Sequence, residues 1–177
     1  MTAMTSDSIE LQPLSGTAIE AAMVQRIYDD TPAYDMMIRG ETGRPGAALR
    51  TFDMLPEGCS RQQKNMFLIT RDDQPVGFTD VIRDFPDAGT AYIGLFIIVE
   101  SCQGTGIGRR AYEALESLIA GWPGTDRIEL SVVGINSPAL RFWAAMGFAP
   151  TGERTPYEGG TVRSEHLFFA KRLDANG

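Results

Sequence analysis

Hydrophobic and polar positions along the chain follow two periods, one typical of strands and one typical of helices. Apolar residues with period two, or in short apolar runs, predict strands at 9–14, 65–70, 76–85, 92–99, 127–133 and 162–173. Apolar residues three and four apart predict helices at 17–28, 34–38, 47–55, 107–119 and 138–146. In the first helix, Ile19, Ala22, Met23 and Ile27 share one side. Residues 71–75 predict a hairpin turn and 153–160 a polar loop, so the whole order predicts an α/β sandwich with a mixed sheet.

The segment 100–110 (ESCQGTGIGRR) lies at a strand-to-helix turn. The run before it carries no charge, as a strand buried on both faces would, and the run after it has one apolar helical stripe. The first N–H groups of a helix have no partner within the helix, and they point with the positive end of its dipole at whatever approaches. Glycine lets a bulky phosphate come close to the main chain, and two arginines add positive charge. The segment therefore predicts a phosphate site at Gly104, Gly106 and Gly108, followed by Arg109 and Arg110.

Two common phosphate loops do not fit this segment. A P-loop ends in Gly-Lys-Ser/Thr, whereas this one ends Gly-Ile-Gly-Arg. A Rossmann loop has an acidic ribose partner roughly 20 residues on, and Asp126 and Glu129 lie near that distance. However, the glycine spacing differs, and the remaining chain is too short for a full dinucleotide domain.

The pattern Gln-x-x-Gly-x-Gly at 103–108 resembles the acyl-CoA pyrophosphate loop of the GNAT superfamily of N-acyltransferases. Residues 136–148 (NSPALRFWAAMGF) resemble a second signature of that family, Asn-x-x-Ala-x-x-Phe-Tyr-x-x-x-Gly-Phe. The resemblance implies one acyltransferase domain over 1–177, with a mostly antiparallel mixed sheet of about six to seven strands flanked by helices. It also implies a pyrophosphate loop at 103–109 and a lid over the acceptor site at about 29–60.

The resemblance further implies acetyl-CoA as co-substrate and no metal. According to this resemblance, the pantetheine arm is held by the main chain of three strand residues, Phe96, Ile97 and Ile98. The pyrophosphate is held by Gln103, Gly104, Thr105, Gly106, Ile107, Gly108 and Arg109. Asn136 is placed to hydrogen-bond the pantetheine. The same segment also reads as a helix cap, with Ser137 at the cap and Pro138 at the first helical position.

The chain departs from the family pattern at two catalytic positions. Trp143 stands where many members have a tyrosine that protonates the thiolate, and it reads equally as a core residue or as a wall of the thiol pocket. Tyr92 stands where a glutamate base is often found. Asp80 and Asp84 are predicted to share a strand face that lines the acceptor cleft, where they bind or deprotonate an amine. Tyr92 is a candidate acid. Tyr34 and Tyr157 are further candidates that could extend into the site from loops.

Composition limits the other possibilities. The net charge of −7 and the isoelectric point near 4.7 argue against nucleic acid and anionic membranes as partners and favour an amine substrate. No run approaches the roughly 20 apolar residues of a membrane span, and the N-terminus lacks a secretion signal, so a cytosolic location is expected. Two cysteines exclude a thiolate zinc site. We interpret Cys102 as a packing residue and His166 as a strand-surface residue, each over a catalytic role.

Together these features predict an N-acetyltransferase that moves an acetyl group from acetyl-CoA to a primary amine of a small molecule, by direct attack in a ternary complex. The alternative is a non-catalytic acyl-CoA-binding or sensing module, in which the missing tyrosine and glutamate reflect lost catalysis. By analogy with the family, the final strand at 164–170 could pair across a homodimer interface.

Overall fold

The computed structural model describes residues 8–173, and seven of its strands form one sheet in the order β1-β2-β3-β4-β5-β7-β6. All neighbouring strands are antiparallel except β4 and β5, which are parallel. The predicted mixed, mostly antiparallel α/β sheet is thereby confirmed. The strands are β1 (Ile9–Leu14), β2 (Lys64–Arg71), β3 (Gln74–Arg83), β4 (Thr90–Ile98), β5 (Arg127–Val133), β6 (Ala149–Gly159) and β7 (Val162–Arg172).

Five helices flank this sheet. They are α1 (Ala18–Asp29), α2 (Pro32–Arg39), α3 (Ala47–Asp53), α4 (Ile107–Ala120) and α5 (Ser137–Ala145). The start of α1 is set by a capping box, in which Thr17 Oγ1 accepts the Glu20 N–H and the Glu20 carboxylate accepts the Thr17 N–H. Within residues 8–173, no helix combines the length and the apolar character that crossing a bilayer requires.

Apolar cores lie on both faces of the sheet. On one face, α4 and α5 pack with β3, β4 and β5 around Val81, Ile93, Tyr112, Leu115, Leu130 and Trp143. On the other face, α1 and α3 pack with β2, β3 and β4 around Val24, Ile27, Phe52, Leu68, Phe78 and Ile97. The second face carries the cavity described below, because α3 and the segments beside it cover the sheet there.

A bulge interrupts β4 at Gly94. Asp80 of β3 lies opposite Leu95, whereas the next residue, Val81, lies opposite Ile93, so Gly94 has no partner in β3. The extra residue reverses the alternation of side chains along β4. Tyr92 and Leu95 therefore face the same side of the sheet, and Phe96 packs on the other side against Phe142 and Trp143.

The sequence reading of the last two strands was partly wrong. Of residues 153–160, predicted as a polar loop, all but the last belong to β6, which is an edge strand with most of its residues exposed. An edge strand that is exposed to solvent on both faces needs no alternation of apolar and polar residues. The sequence of β6 therefore lacks the period of two that predicts a strand. The final strand, β7, is paired with β5 on one side and β6 on the other. It therefore has no free edge through which 164–170 could pair across a dimer.

The first helix buries a different side from the one that the sequence suggested. Its buried residues are Ala21, Val24, Ile27 and Tyr28, whereas Ile19 is 71% exposed and Met23 is 39% exposed. The helix carries two apolar stripes at helical spacing, and packing against the sheet and α3 selects one of them. Only Ile27 belongs to both the predicted and the observed side.

Candidate active site

The strands β4 and β5 separate beyond Ile93. Their parallel pairing runs from Thr90 opposite Arg127 to Ile93 opposite Leu130 and then stops, although β4 continues to Ile98. Along this last part of β4, one edge is paired with β3, and no strand of residues 8–173 pairs with the other. An extended ligand arm can add to such an edge as an extra strand. The residues predicted to hold the pantetheine lie here, Phe96, Ile97 and Ile98.

The glycine loop between β4 and α4 forms an open cradle. Gly104 and Gly106 have φ of 71° and 87°, and a Cβ added to either would meet nothing within 4 Å. Gly106 is the N-cap of α4, and no side chain caps this helix. Within the described chain, the N–H groups of Gly104 through Arg109 have no hydrogen-bond acceptor. These donors and the helix dipole together suit a phosphate.

Gln103 and Gly108 serve the loop differently from the open glycines. Gln103 Nε2 donates to the Ile98 carbonyl at 2.8 Å, and its main-chain N–H donates to Glu100, so this residue ties the loop to the end of β4. A Cβ added to Gly108 would lie 3.4 Å from the Phe142 ring. Gly108 thus faces α5, so a substitution there would test helix packing as well as phosphate binding.

Asn136 caps α5. Its Oδ1 accepts the Ala139 N–H at 3.2 Å, and the helix begins at Ser137 with Pro138 as its second residue. The cap is therefore one residue earlier than the sequence reading placed it, because the amide side chain spans the same first turn. The Asn136 Nδ2 group makes no hydrogen bond to another residue of the described chain. This nitrogen is therefore available to donate to a ligand.

A cavity of about 420 Å³ lies over the bulge of β4, on the face that α1 and α3 cover. Its sheet wall includes Asp80, Ile82, Tyr92, Gly94 and Leu95. Its helical wall is contributed by α1, α3 and the segments beside α3, through Tyr28, Arg44, Ala47, Arg50, Thr51, Met54, Leu55 and Pro56. Residues 44–56 fall within the region predicted as the acceptor lid. Gly94 and Leu95 thus join this cavity to the part of β4 where the strands separate.

Asp80 is the acidic residue of the cavity wall. Its side chain is only 10% exposed, and its Oδ2 accepts a hydrogen bond from Lys64 Nζ at 2.7 Å. Oδ1 is buried without a hydrogen-bond partner among the described residues. Burial raises the pKa of the Asp80 carboxyl, and the Lys64 ammonium opposes that rise. Gly94 lies beside this carboxylate, since a Cβ there would be in ordinary contact with Asp80 Oδ2 at 3.5 Å.

Asp84 does not share the position of Asp80. The strand ends at Arg83, and Asp84 has a left-handed φ of 54° in the turn that follows. Its Oδ1 accepts the Gly89 N–H at 2.9 Å, which closes this turn. The prediction that both carboxylates line the cleft was therefore wrong for Asp84, because alternation along a strand ends where the strand does.

The tyrosines named from the sequence separate into one cavity residue and two that lie elsewhere. Tyr92 lines the cavity, and its Oη donates to Ser131 Oγ of β5 at 2.9 Å. Tyr157 donates to the Ile38 carbonyl of α2 at 2.9 Å. Burial raises the pKa of Tyr34 to about 12, and neither Tyr34 nor Tyr157 lines the cavity. Sequence reasoning missed Tyr28, which lines the cavity and shares a 2.7 Å hydrogen bond with Thr51.

His166 is less isolated than its interpretation as a strand-surface residue suggested. It is half-buried, its Nδ1 lies 3.4 Å from Ser131 Oγ, and its ring packs edge-on against Tyr157 at 5.0 Å. Ser131 thus connects His166 to Tyr92 across β4, β5 and β7. Burial lowers the pKa of His166, which favours the neutral ring near pH 7. The sequence contained no signal for Ser131, because its contacts depend on the pairing of β5 with β7.

Both cysteines are free thiols. Cys102 is half-buried and packs against the apolar clusters that contain Ile97 and Ile98. This environment is that of a packing residue, as the sequence analysis expected.

Trp143 lies in the core between α4 and α5. It is 6% exposed, and its ring makes edge-to-face contacts with four other aromatic rings, those of Phe96, Tyr112, Phe142 and Phe148. The packing supports the interpretation of Trp143 as a core residue. Its contact with Phe96 also lies next to the split between β4 and β5.

We expect Trp143→Phe to lower the free energy of unfolding by about 1 to 3 kcal/mol, as ordinary core substitutions do, and to keep most of the turnover. The reason is that the indole fills the core and transfers no proton. Thermal melting and steady-state acetylation measure the two effects. A loss of turnover of about a thousandfold, on the scale of a missing general acid, with unchanged melting would contradict this expectation.

The profile of the acetyltransferase (GNAT) family matches residues 25–148 of this chain. Among solved structures, an acetyltransferase from Thermus thermophilus is 27% identical, with a TM-score of 0.74 over 96% of this chain and all of that one. A search of curated proteins finds no match.

Two further solved structures share the fold at lower identity. A ribosomal α-N-protein acetyltransferase in complex with coenzyme A is 18% identical, with a TM-score of 0.75 over 97% of this chain and 98% of that one. An aminoglycoside acetyltransferase in complex with coenzyme A is 16% identical, with a TM-score of 0.71 over 95% of this chain and 96% of that one. The family profile covers more than half of the chain and includes the glycine loop, the split between β4 and β5, and the cavity wall at Asp80. The chain therefore belongs to the GNAT family of acetyltransferases.

Proposed function

We propose that this protein transfers an acetyl group from acetyl-CoA to a primary amine of a small molecule, by direct attack in a ternary complex. The observation that carries the proposal is the meeting of two features at Gly94 and Leu95. These two residues begin the part of β4 that is not paired with β5 and that leads to the glycine loop. They also line the cavity that residues 44–56 cover. A donor in the split and an acceptor in the cavity would thus come together beside Asp80.

The residues of the split and the loop fit an acyl-CoA. In this proposal the open edge of β4 at Phe96, Ile97 and Ile98 holds the pantetheine arm, and Asn136 Nδ2 donates to it. The free N–H groups from Gly104 to Arg109 bind the pyrophosphate, and Gln103 holds the loop in place. When bound, acetyl-CoA supplies an activated acetyl group as a thioester.

Asp80 is our candidate for the general base. An amine in the cavity arrives as an ammonium, and Asp80 Oδ1 lacks a partner from which to accept a hydrogen bond. The carboxylate takes one proton from the ammonium, which leaves the neutral nitrogen free to act as the nucleophile. A raised pKa makes Asp80 a stronger base than an ordinary aspartate, while the Lys64 ammonium keeps it oriented.

Tyr92 is our candidate for the acid. Its phenol is in the cavity wall two residues before Gly94, and burial raises its pKa, so it holds its proton near neutral pH. Tyr92 gives its proton to the departing CoA thiolate and takes up the second proton that the nitrogen loses as the amide forms, while Asp80 releases the first to solvent. Ser131 and His166 form a hydrogen-bonded path behind the phenol. In this arrangement the acid and the base stand on neighbouring strands, β4 and β3.

The cavity supports a small acceptor. Its volume lies in the range of about 300 to 1,000 Å³ that is usual for small-molecule sites. Side chains from α1, α3 and the segments beside α3 cover it, which suits a compact molecule better than a protein chain. The cytosolic location stays a prediction.

A thiol-release assay tests the proposal. We expect steady release of CoA from acetyl-CoA when the protein is given a panel of amines that includes polyamines, aminoglycosides, amino acids and peptides, above the rate without amine. The Asp80→Asn variant serves as the matched control. Tight binding of CoA without turnover for any amine would overturn the proposal and favour the acyl-CoA-binding module.

A further inference from the structure

We propose that the acceptor carries a carboxylate as well as the reacting amine, and that Arg44 on the helical wall of the cavity binds this carboxylate. The inference rests on the proposed function and specifies its substrate class. On the sheet wall, Asp80 receives the amine, so the two ends of one molecule would meet charges of opposite sign.

Several contacts hold Arg44 beside the cavity. Its side chain is 16% exposed, and its guanidinium carbon lies 5.5 Å and 5.6 Å from the ring centres of Tyr28 and Tyr34. Its Nε contacts the carboxylate of Asp35. Nη2 is buried and has no hydrogen-bond partner among the described residues. A buried donor of this kind is costly unless something binds it, and a guanidinium fork matches the geometry of a carboxylate.

The charges around the cavity leave room for one more negative group. Three cations, Arg44, Arg50 and Lys64, stand against two carboxylates, Asp35 and Asp80. Arg50 lines the cavity and donates to the Pro45 carbonyl, and no carboxylate of residues 8–173 lies within ion-pair distance of it. The balance of three positive and two negative charges therefore leaves one positive charge. An amine alone would add to this excess, whereas an amine with a carboxylate would not.

The cavity is also lined by apolar side chains. They include those of Ala47, Met54, Leu55, Ile82 and Leu95. Asp80 Oδ1 and Arg44 Nη2 are both buried without a partner, and they need a donor and an acceptor respectively. A ligand that supplies both would be an amino acid, or an amino-alkanoic acid, with an apolar body. An acceptor with an amine only would satisfy Asp80 and leave Arg44 unpaired.

Matched pairs of acceptors test the inference on the wild-type protein. Each pair compares an acid with its decarboxylated amine: leucine with isopentylamine, phenylalanine with phenethylamine, and ε-aminocaproate with pentylamine. We expect kcat/KM for the acid to exceed that for the amine by about 10- to 100-fold in at least one pair, the scale of one charge-assisted hydrogen bond. The primary amide of that acid should lose the same factor, because the amide removes the negative charge and keeps nearly the same size and shape.

Variants then place the effect at Arg44. Arg44→Gln combined with Asp35→Asn removes the buried ion pair as a unit, which avoids an unpaired buried charge. We expect this double variant to bring the ratio of acid to amine close to one. Arg50→Gln should lower the ratio of acid to amine by a smaller factor. Because Arg50 is exposed, this variant should fold even if the double variant does not, so the test can still be made. Arg26→Gln makes the same change on the exposed side of α1 and should keep the wild-type ratio.

The possible outcomes separate this inference from the proposed function. Release of CoA with isopentylamine, phenethylamine or pentylamine at rates equal to or above those of the acids would overturn the inference and keep the acetyltransferase. A higher rate with the phosphonate analogue of leucine than with leucine itself would also overturn the inference, because the preferred anionic group would then not be a carboxylate. Release of CoA with none of the amines would overturn the proposed function and the inference with it.

Discussion

Gly106→Asp is expected to remove nearly all affinity for CoA while the protein remains folded. A Cβ at this position meets nothing within 4 Å, so the side chain has room. Its carboxylate would stand at the N-cap of α4, where it can accept the free N–H groups of the first turn. It would thereby occupy and repel the phosphate. The loss of about two charge-assisted hydrogen bonds corresponds to about 100-fold or more in affinity.

Gly106→Asn is the matched control for this variant. Asparagine has nearly the same shape and tolerates the left-handed conformation at φ 87° as aspartate does, but it carries no charge. Calorimetry should show a much smaller loss of CoA affinity for asparagine than for aspartate, and similar melting temperatures. Unchanged CoA affinity in a folded Gly106→Asp protein would refute the phosphate assignment. An equal loss in both variants would show that backbone strain, not charge, is responsible.

Asp80→Asn is expected to lower kcat/KM for the acceptor by about 100-fold or more, the scale of a lost general base. The KM for acetyl-CoA should change little, because Asp80 faces the acceptor cavity. The pH profile should change as well. Burial raises the pKa of Asp80, so in the wild type activity is lost as the pH falls through a value above the ordinary aspartate range. In the asparagine variant this acid limb should disappear.

Asp84→Asn is the matched control for the base. Asp84 is four residues after Asp80 and does not line the cavity. An asparagine at this position can still accept the Gly89 N–H through its Oδ1. It should keep wild-type kinetics.

Lys64→Met should move the acid limb to higher pH, because the Lys64 ammonium lowers the pKa of Asp80. Wild-type kinetics for Asp80→Asn with a responsive amine would rule out Asp80 and direct attention to Tyr92, through Tyr92→Phe.

Much of the candidate site could be predicted from local sequence. The glycine loop is a short-range arrangement, in which a strand, three glycines and an amphipathic helix follow one another directly along the chain. The pair of Lys64 and Asp80 was not within reach, because a bulge between Ile69 and Thr70 shifts the register of β2 against β3. Counting back from the hairpin turn without that bulge brings residue 65 opposite residue 80, which would put Lys64 and Asp80 on opposite faces.

Other parts of the site depended on interactions that no local pattern contains. Strict alternation along β4 would put Tyr92 and Phe96 on one face, but the bulge at Gly94 turns Phe96 to the other. Asp84 leaves the cavity because β3 ends one residue before it. The role of Arg44 depends on Asp35, Tyr28 and Tyr34, which lie in α1 and α2.

The sequence by itself determined the order of the five helices and of six of the seven strands, and the place of the glycine loop at a helix start, because these patterns act within a few residues. The family followed from the resemblance of two short motifs. Only the tertiary structure decided which apolar stripe of α1 is buried, that 153–159 belongs to an exposed edge strand, and which charged residues share the cavity. Asp80, Tyr92 and Arg44 are distant along the chain, and they meet because strand register, one bulge and the packing of α3 bring their segments together.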